Sequence, residues 1–447
     1  MSSSLTLADW LARLERQHPV SIDLGLDRVA EVGRRLGLMD TRLSERIITV
    51  AGTNGKGSTV AMLDALAREH GLSTAAYTSP HLLRYNERLR FDGIEANDAR
   101  LIDGFERVEA ARLTPAPVSL SYFEAGTLAA LWIIAQRRPD VAILEVGLGG
   151  RLDAVNIIDA DVAVITTVAQ DHADFLGTDL DTIGREKAGI LRTARPAVLG
   201  SDRLPPSVRR VATKLGAGVH ALGADFYRDI ESHAQADAAL SWRWNGHDGQ
   251  GNPLMIEALP DPRLPLDNAA SALQALALAG VALDVTACRR AFSAVRLPGR
   301  MQWLGNWCLD VAHNPHAAEY LAARLAERPR PSQRIGLLGM LGDKDAQAVI
   351  GALSSQVDSW VAVSLSGERS RSADELAALL EAQGQTVLQC AGSPRAGAEW
   401  LAARLGASDE ALVCGSFFTV AEVLGWHIER GTDAATEWPV LAAREES

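Results

Sequence analysis

Short apolar runs alternate with longer amphipathic stretches along almost the whole chain. In the first half, the runs RIITVAG, STAAYTS, VAILEVG and DVAVITTVA lie around Ile48, Ala76, Leu144 and Ile165. Each run is flanked by Gly and is too short for a helix, so each is typical of a buried strand. The stretches 58–70 and 122–136 between them are predicted helices. This alternation predicts a mostly parallel α/β sheet.

A second series of predicted strands and helices begins after Arg300. Its strands lie in WCLDVAH, RIGLLGM, SWVAVSL and ALVCGS, and helices are predicted from Pro315, after Asp345, from Ala373 and after the last strand. Pro and Gly in the segment 296–300 interrupt the pattern and could form a hinge. The sequence therefore predicts two domains, residues 1–296 and 297–447, with an irregular or hairpin excursion between Gly216 and Pro260.

The charge and composition exclude several classes of protein. The chain has 447 residues, 47% of them hydrophobic, and a net charge of −12. An acidic surface disfavours general binding to nucleic acid or to an anionic membrane. No apolar run reaches the roughly 20 residues of a membrane span, and the first residues lack the pattern of a signal peptide, so we expect a cytoplasmic location.

The four cysteines do not form a recognisable motif. Cys288, Cys308, Cys390 and Cys414 are scattered without the spacing of a zinc site. We expect buried, reduced thiols.

The segment Gly52-Thr53-Asn54-Gly55-Lys56-Gly57-Ser58 follows a predicted strand and precedes a predicted helix. Glycines let backbone N–H groups approach phosphate oxygens, and the start of a helix adds positive potential. Lys56 would contact the terminal phosphates, and Ser58 would reach Mg²⁺ or a phosphate oxygen. The spacing departs from the strict Walker pattern. The alternative is a Gly-rich turn, but strand, lysine and helix together favour a phosphate loop.

Polar residues follow the other predicted strands of the first half. Glu145 ends an apolar run, where a buried carboxylate needs a cation, either a metal ion or a basic residue such as Arg151. His172 alone could be a core histidine, and Lys187 alone would be a solvated helix lysine. Because parallel strands present their carboxyl ends at one edge, these segments are expected to meet there.

Two further segments have ordinary structural interpretations. The stretch 21–29 could be a turn before a helix that contains Val32 and Leu36. Tyr122 and Phe123 could be core side chains at the start of a helix, although aromatic rings can also stack on a planar ligand.

Taken together, several long motifs resemble the folylpolyglutamate synthase family of the Mur-ligase superfamily, especially its bacterial bifunctional dihydrofolate synthase members. The motifs of the first half are GTNGKGS, TSPHLLRYNERLRFDG, SYFEAGTLAAL, EVGLGGRLDAVN, DHADFLG and GREKAGI. Those of the second half are LPLDNAASAL, LPGRMQ, DVAHNPHAAEYL, GMLGDKD and VCGSFFTVAEV. The resemblance covers nearly the whole chain. It implies a P-loop-type parallel-sheet ATPase domain and a smaller Rossmann-like α/β domain.

The resemblance also implies roles for individual residues. Lys56, His172 and Lys187 become catalytic residues, with Lys187 carbamylated by CO₂. Residues 52–58, Asn268, Arg300 and Asp310 become nucleotide contacts, with His313 as a further candidate. Ser79 and Glu145 become ligands of one Mg²⁺, and His172 a ligand of a second. The implied dihydropteroate contacts are Asp23, Leu24, Gly25, Ser121, Tyr122, Phe123, Glu124 and Asp153.

The activity implied by the resemblance is ATP-dependent addition of L-glutamate to dihydropteroate and to tetrahydrofolate or folylpolyglutamates, through an acyl phosphate. The enzyme is expected to use ATP and two Mg²⁺ ions and to act as a monomer. Three alternatives remain open: folylpolyglutamate synthase activity only, a peptidoglycan-precursor ligase, and an ATP-binding regulatory protein without ligase chemistry. A peptidoglycan-precursor ligase would normally carry an N-terminal UDP-sugar domain, whereas the phosphate loop here begins at Gly52.

Overall fold

A computed structural model describes residues 5–18, 23–231, 240–367 and 369–431, with the side chains of residues 173 and 174 excepted. The chain divides into two compact units, with the boundary between Arg296 and Leu297. None of the helices in the described ranges is long and apolar enough to cross a membrane.

The first unit is built around a large sheet and a smaller one. The strands of the large sheet are β1 (Arg46–Ala51), β2 (Thr74–Tyr77), β3 (Leu89–Phe91), β4 (Ile94–Glu95), β5 (Val141–Glu145), β6 (Val162–Ile165), β7 (Pro196–Leu199) and β8 (Gly218–Ala221). Those of the smaller sheet are β9 (Tyr227–Glu231), β10 (Ser241–His247) and β11 (Pro253–Pro260). The helices are α1 (Leu7–Gln17), α2 (Asp27–Arg35), α3 (Lys56–Glu69), α4 (Asp98–Leu113), α5 (Tyr122–Arg137), α6 (Ala173–Leu176), α7 (Leu180–Ala188), α8 (Pro206–Leu215), α9 (Leu266–Leu278) and α10 (Val285–Ala294).

The order of strands in the large sheet positions the candidate site. It is β4-β3-β2-β5-β1-β6-β7-β8, and neighbours from β2 to β8 pair in parallel. The central strands β1 and β5 are rich in β-branched and aliphatic residues and are almost fully buried, as strands covered on both faces must be. The carboxyl ends of β2, β5, β1 and β6 therefore lie side by side, each followed by one of the polar segments noted above.

The predicted strands and helices of the first half are confirmed, but several elements around them were not predicted, including strand β7 and helices α1, α4, α6, α8, α9 and α10. The pair β3 and β4 adds antiparallel strands at one edge of the large sheet. The excursion predicted between Gly216 and Pro260 contains β8 and the antiparallel sheet β11-β10-β9. Trp242 and Trp244 of β10 are fully buried, which explains why tryptophans occur in a segment that otherwise resembles a surface hairpin.

The second unit contains a mixed sheet in the order β12-β13-β17-β14-β15-β16. Its strands are β12 (Gln302–Leu304), β13 (Trp307–Leu309), β14 (Arg334–Leu338), β15 (Ser359–Val363), β16 (Val387–Ala391) and β17 (Glu410–Cys414). Its helices are α11 (Pro315–Ala326), α12 (Ala346–Leu353), α13 (Ala373–Ala382), α14 (Pro394–Ala402) and α15 (Phe417–Glu429). The predicted elements are confirmed. Strands β12 and β16 and helix α14 were not predicted.

One expectation about the cysteines is wrong. Cys288, Cys308 and Cys414 are buried free thiols as predicted, but Cys390 is exposed. It lies on β16, at the edge of the sheet, where exposed and partly buried positions alternate.

Candidate active site

The phosphate loop, residues 52–58, joins β1 to the first turn of α3. Lys56 is the first residue of α3, and its Nζ donates hydrogen bonds to the carbonyl oxygens of Gly52 (3.0 Å) and Thr53 (3.1 Å). Gly55, the residue before the helix, has a φ of 89°, a conformation that glycine adopts without strain. The ammonium group is thus held over the loop, where a phosphate could replace its carbonyl partners.

Two consecutive threonines after β6 fix the loop from the neighbouring strand. The Thr166 hydroxyl donates to the carbonyl oxygen of Asn54 over 2.7 Å, and the backbone N–H of Asn54 donates to the Thr167 hydroxyl over 3.0 Å. A Cβ at Gly52 would collide with the Thr166 hydroxyl. Thr166 and Thr167 were not predicted as site residues, although two hydroxyl residues directly after a predicted strand were an available signal.

Helix α9 contacts the loop through Asn268. Its Nδ2 donates to the Ser58 hydroxyl over 2.8 Å, and both residues are buried. A Cβ at Gly55 would lie only 2.7 Å from the same amide nitrogen. The structure therefore places Asn268 against the phosphate loop, and Gly57 lies between Lys56 and Ser58 in the first turn of α3.

Glu145 and Ser79 meet at the carboxyl ends of β5 and β2. The backbone N–H of Ser79 donates to Glu145 Oε2 over 3.2 Å, and the Glu145 side chain is buried. The alternative of a salt bridge from Glu145 to Arg151 is wrong, because Arg151 pairs with Glu186 at 2.9 Å.

The donors at this edge suit a hard cation. A carboxylate and a serine hydroxyl are oxygen ligands of the kind that Mg²⁺ prefers, and Mg²⁺ commonly takes its remaining ligands from phosphates and water. In the described part of the chain, no three or more His, Cys, Asp or Glu side chains form a cluster that could hold a metal without such additional ligands. The residues present fit an ion shared with a nucleotide.

Lys187 is buried on α7, so its interpretation as a solvated helix lysine is wrong. Only 3% of the residue is exposed. Burial and the nearby charge of Lys56 lower its pKa to about 7, against the opposing effects of Asp171 and Asp153. Lys56, Lys187, Asp171 and Asp153 therefore form one electrostatically coupled group, and much of the Lys187 amine is neutral near pH 7.

His172 lies beside this group rather than in the core. Its side chain is 40% exposed, and its Nε2 lies 4.0 Å from Asp171 Oδ2, so the interpretation as a core histidine is wrong. Its φ is 53°, an uncommon conformation for a residue with a side chain.

The loop 147–153 packs directly against the end of α7. A Cβ at Gly150 would lie 2.8 Å from the carbonyl oxygen of Glu186 and 3.0 Å from that of Lys187. A Cβ at Gly189 would collide with Arg151. Glycine at both positions lets the two main chains touch, which sets the distance between Asp153 and Lys187.

Asp153 is buried within the same loop. Its carboxylate accepts hydrogen bonds from the backbone N–H groups of Leu148 (2.9 Å) and Val155 (3.0 Å). Burial nevertheless raises the pKa of Asp153 to about 6, because these hydrogen bonds and the charge of Lys56 only partly offset the desolvation. The carboxyl can hence take or release a proton near pH 6.

Two of the predicted substrate-binding segments are joined by Arg28. Its Nη1 lies 2.8 Å from Asp23 Oδ2, and its Nη2 lies 2.8 Å from Glu124 Oε1. Glu124 also accepts a 2.7 Å hydrogen bond from the Ser121 backbone N–H, which completes a capping box at the start of α5. Leu24 and Gly25 follow Asp23 in the same partly buried turn, while residues 21 and 22 of this segment lie outside the described ranges.

The aromatic residues of this region are partly buried at the start of α5. The Phe123 ring covers the Cα of Gly147, where a Cβ would lie 2.5 Å from the ring. Tyr122 makes an edge contact with Tyr85, with ring centroids 6.0 Å apart. Both rings also pack against the core of the unit. Core packing and a ligand-facing role are therefore compatible.

The second unit contains the remaining predicted residues around Asp310. Its carboxylate accepts hydrogen bonds from the backbone N–H groups of Met301 and Ala312, each over 2.8 Å. Burial raises the pKa of Asp310, against the opposing charges of Arg300 and His313. The guanidinium of Arg300 lies 5.4 Å from the centroid of the Phe417 ring. Arg300, Asp310 and His313 are thus neighbours within this unit.

A phosphate loop on a parallel sheet, with Lys56, the buried Lys187 and buried carboxylates at the same edge, defines the first unit as the ATPase part of a Mur-type ligase. Family comparison agrees: the Mur ligase middle domain matches residues 50–235, and the Mur ligase, glutamate ligase domain matches residues 299–417. A dihydrofolate synthase/folylpolyglutamate synthase from Escherichia coli K12 is 42% identical over 426 residues, 94% of each chain. The chain belongs to the dihydrofolate synthase/folylpolyglutamate synthase family.

Solved structures of this family share the fold. E. coli FolC in complex with DHPP and ADP superposes with a TM-score of 0.88 at 41% identity, over 96% of this chain and 99% of that one. The bifunctional folylpolyglutamate synthase/dihydrofolate synthase of Yersinia pestis complexed with AMPPNP and Mn has a TM-score of 0.86 at 42% identity, over 95% and 98%.

Proposed function

We propose that this chain is an ATP-dependent ligase that adds L-glutamate to dihydropteroate and to tetrahydrofolate or folylpolyglutamates, and that it acts as a monomer. Residues 1–296 would form the ATP-binding domain and residues 297–447 the ligase domain. The observation that carries the proposal is the coupled group Lys56, Lys187, Asp171 and Asp153 at the sheet edge that also presents the phosphate loop. Family membership supports the choice of substrates.

The loop 52–58 binds the triphosphate of ATP in this proposal. Backbone N–H groups at the start of α3 and the ammonium of Lys56 offer positive potential to the phosphate oxygens. Asn268 holds Ser58 and the loop in place and contacts the nucleotide. In the second unit, Arg300 and Asp310 contribute further nucleotide contacts. The complexes of relatives with ADP and with AMPPNP support this assignment.

Ser79 and Glu145 would hold one Mg²⁺ and His172 a second. Bound Mg²⁺ neutralises charge on the transferred phosphoryl group. The oxygen donors and the buried position of Glu145 support the first site. The Mn ion in a solved relative supports the presence of a divalent ion in this family.

Lys187 is the proposed site of carbamylation. A neutral amine attacks the carbon of CO₂, and loss of one proton leaves an N-bound carboxylate. The lowered pKa of Lys187 favours this reaction, because an ammonium group cannot act as the nucleophile. The product would replace a buried and partly neutral amine with an anion beside Lys56.

The substrate would lie against the wall formed by Asp23, Leu24, Gly25 and residues 121–124, with Asp153 at its other side. The aromatic rings of Tyr122 and Phe123 can contact a planar pterin. Because Arg28 forms salt bridges with both Asp23 and Glu124, it holds residues 23–25 and residues 121–124 together. A complete wall favours dihydrofolate synthase activity in addition to folylpolyglutamate synthase activity.

The reaction requires an activated carboxylate, because amide formation from a free carboxylate is unfavourable in water. A carboxylate oxygen attacks the γ-phosphorus of ATP, the bond to the β–γ bridging oxygen breaks, and ADP and an acyl phosphate result. Lys56 stabilises the charge that develops on the phosphoryl oxygens. The α-amine of glutamate then attacks the acyl carbon, and the tetrahedral intermediate collapses to the amide and inorganic phosphate with loss of a proton.

The test is release of ADP and phosphate by the purified chain with ATP, Mg²⁺ and glutamate. We expect turnover with dihydropteroate and with tetrahydrofolate, and none when glutamate is omitted. Turnover with tetrahydrofolate alone would reduce the function to folylpolyglutamate synthase activity. Nucleotide binding without glutamate-dependent turnover would identify a regulatory ATP-binding protein instead.

A further inference from the structure

Arg88 is a buried cation that forms no salt bridge with any carboxylate in the described part of the chain. Only 8% of the residue is exposed. Its guanidinium lies 5.1 Å from the centroid of the Tyr85 ring and 5.6 Å from that of Tyr122. Its Nε donates a 2.9 Å hydrogen bond to His81 Nδ1. A guanidinium can only donate, so His81 accepts through an unprotonated nitrogen and provides no negative charge.

The nearby carboxylates are engaged elsewhere. Glu87 accepts hydrogen bonds from the backbone N–H groups of Leu82, Leu83 and Arg84, each over 2.7 Å. Glu95 pairs with Arg84 at 2.7 Å and lies 3.9 Å from Arg90. Within the described ranges, Arg88 forms no ion pair with a carboxylate.

Burying a charged guanidinium without an anionic partner costs free energy, because the group loses its contact with water. Tyrosine rings stabilise a cation, but each contributes less than a paired carboxylate does. A buried arginine with unused terminal donors is therefore suited to an anion that arrives with a ligand, and its planar donors match a carboxylate in particular.

The position of Arg88 indicates which ligand. It contacts Tyr122, part of the proposed substrate wall, and His81 lies two residues after Ser79. The charges that act on Lys187 come from Lys56, Asp171 and Asp153, whereas those that act on Tyr122 come from Arg88 and Glu15. Arg88 and Asp153 both act on the pKa of Tyr77, so Arg88 belongs to the wall and lies near, but outside, the group formed by Lys56, Lys187, Asp171 and Asp153.

We propose that Arg88 binds the α-carboxylate of the terminal glutamate of a folate substrate, the carboxylate that is not activated. This inference rests on the proposed function and deepens it. A folate presents two carboxylates at its glutamyl end, the γ-carboxylate that reacts and the α-carboxylate that does not. Dihydropteroate has only the carboxylate that reacts. Arg88 is therefore a specificity residue for the addition of glutamate to folates.

The test compares the two substrates in an Arg88→Met variant, which keeps the length of the side chain and removes the charge. Binding of tetrahydrofolate and of dihydropteroate to the full chain is measured by calorimetry with AMPPNP and Mg²⁺, and KM is measured for both. We expect Arg88→Met to weaken tetrahydrofolate binding by about tenfold to hundredfold and to leave dihydropteroate binding within about twofold. Arg88→Lys should restore part of the loss.

The matched control is Arg84→Met, which removes an arginine of the same loop that has its own carboxylate partner. It should leave the affinities for both substrates unchanged. Equal losses for both substrates in Arg88→Met and Arg88→Lys, or no loss for either, would overturn the inference. Absence of turnover in the wild type with normal binding would instead reject the ligase reaction, so the two failures are distinguishable.

Discussion

Asn268 donates a hydrogen bond to the Ser58 hydroxyl over 2.8 Å, and this contact joins helix α9 to the first turn of α3. The two residues are 210 positions apart in sequence, yet both are buried against the phosphate loop. Asn268 therefore supports the loop itself, in addition to any direct contact with nucleotide.

Asn268→Ala should raise KM for ATP by about five- to tenfold, because one buried hydrogen bond is lost and Ser58 gains freedom. KM for the folate substrate should change little. Initial rates over a range of ATP concentrations measure the effect, and an unchanged KM for ATP would contradict the supporting role.

Gly55→Ala should damage the loop far more than a comparable substitution at the other end of the same helix. At Gly55 the new methyl group would meet the Asn268 amide, and the φ of 89° would also be strained. Gly71, which follows α3, has a φ of 77° with no atom within 4 Å of a new Cβ. Both variants should lose about 1 kcal/mol from backbone strain.

Only Gly55→Ala should lose ATP binding, by more than about tenfold. Thermal unfolding and calorimetric titration with AMPPNP separate the two effects. Equal ATP affinities in Gly55→Ala and Gly71→Ala would exclude a steric role for Asn268 at this glycine.

Lys187→Arg should abolish carbamylation, because a guanidinium remains protonated at all accessible pH values. In the wild type, ¹³C-bicarbonate should give a carbamate signal in the NMR spectrum. That signal should grow as the pH rises through about 7, the pKa of this lysine. We expect turnover to fall at least about a hundredfold in the variant.

The control for this experiment is Lys214→Arg, at an exposed lysine of α8. It should retain both the carbamate signal and full activity. A carbamate signal that persists in Lys187→Arg would assign the modification to another amine.

Asp153→Asn should change how stability depends on pH. Burial raises the pKa of Asp153 from 3.8 to about 6, so between these values the folded chain holds a proton that the unfolded chain has released. The wild type therefore loses stability as the pH rises from about 4 to 6, by at most about 3 kcal/mol from this group. The Asp153→Asn variant should not show this loss of stability. Urea unfolding at several pH values measures the free energy of unfolding of both proteins. The same pH dependence in the two proteins would contradict the raised pKa of Asp153.

Glu145→Gln should abolish turnover while the fold is retained. The amide keeps the shape of the side chain and one oxygen for the Ser79 N–H, but it removes the negative charge. The apparent Mg²⁺ requirement of any residual activity should rise by at least about tenfold. Circular dichroism checks the fold, and wild-type activity would remove the metal assignment.

Periodicity was sufficient to predict the central strands, because β1, β2, β5 and β6 are buried on both faces and their apolar runs are short and bounded. Edge elements were missed for the opposite reason. Strands β12 and β16 lie at the two edges of their sheet, where one side is open to solvent and the apolar pattern is weaker.

Some residues of the candidate site could be predicted from the sequence, and others could not. The phosphate loop was recognisable because its glycines and its lysine are contiguous. Burial of Lys187 depends on the packing of loop 147–153 against α7, and a helical pattern does not reveal such a contact. Arg28 and Arg88 were missed because each acts through partners distant in sequence or through rings whose position only the fold determines.

The direct contact between the main chains at Gly150 and Gly189 has a consequence for engineering. Backbone atoms, rather than adjustable side chains, set the spacing between Asp153, on the proposed pterin side, and Lys187, the proposed reactive lysine. Lengthening or shortening this loop by one residue would displace Lys187 from its partners, so a change of substrate is better sought on the exposed faces of Tyr122 and Phe123. The identity of the bound substrate is therefore easier to change than the distance between the proposed substrate wall and Lys187.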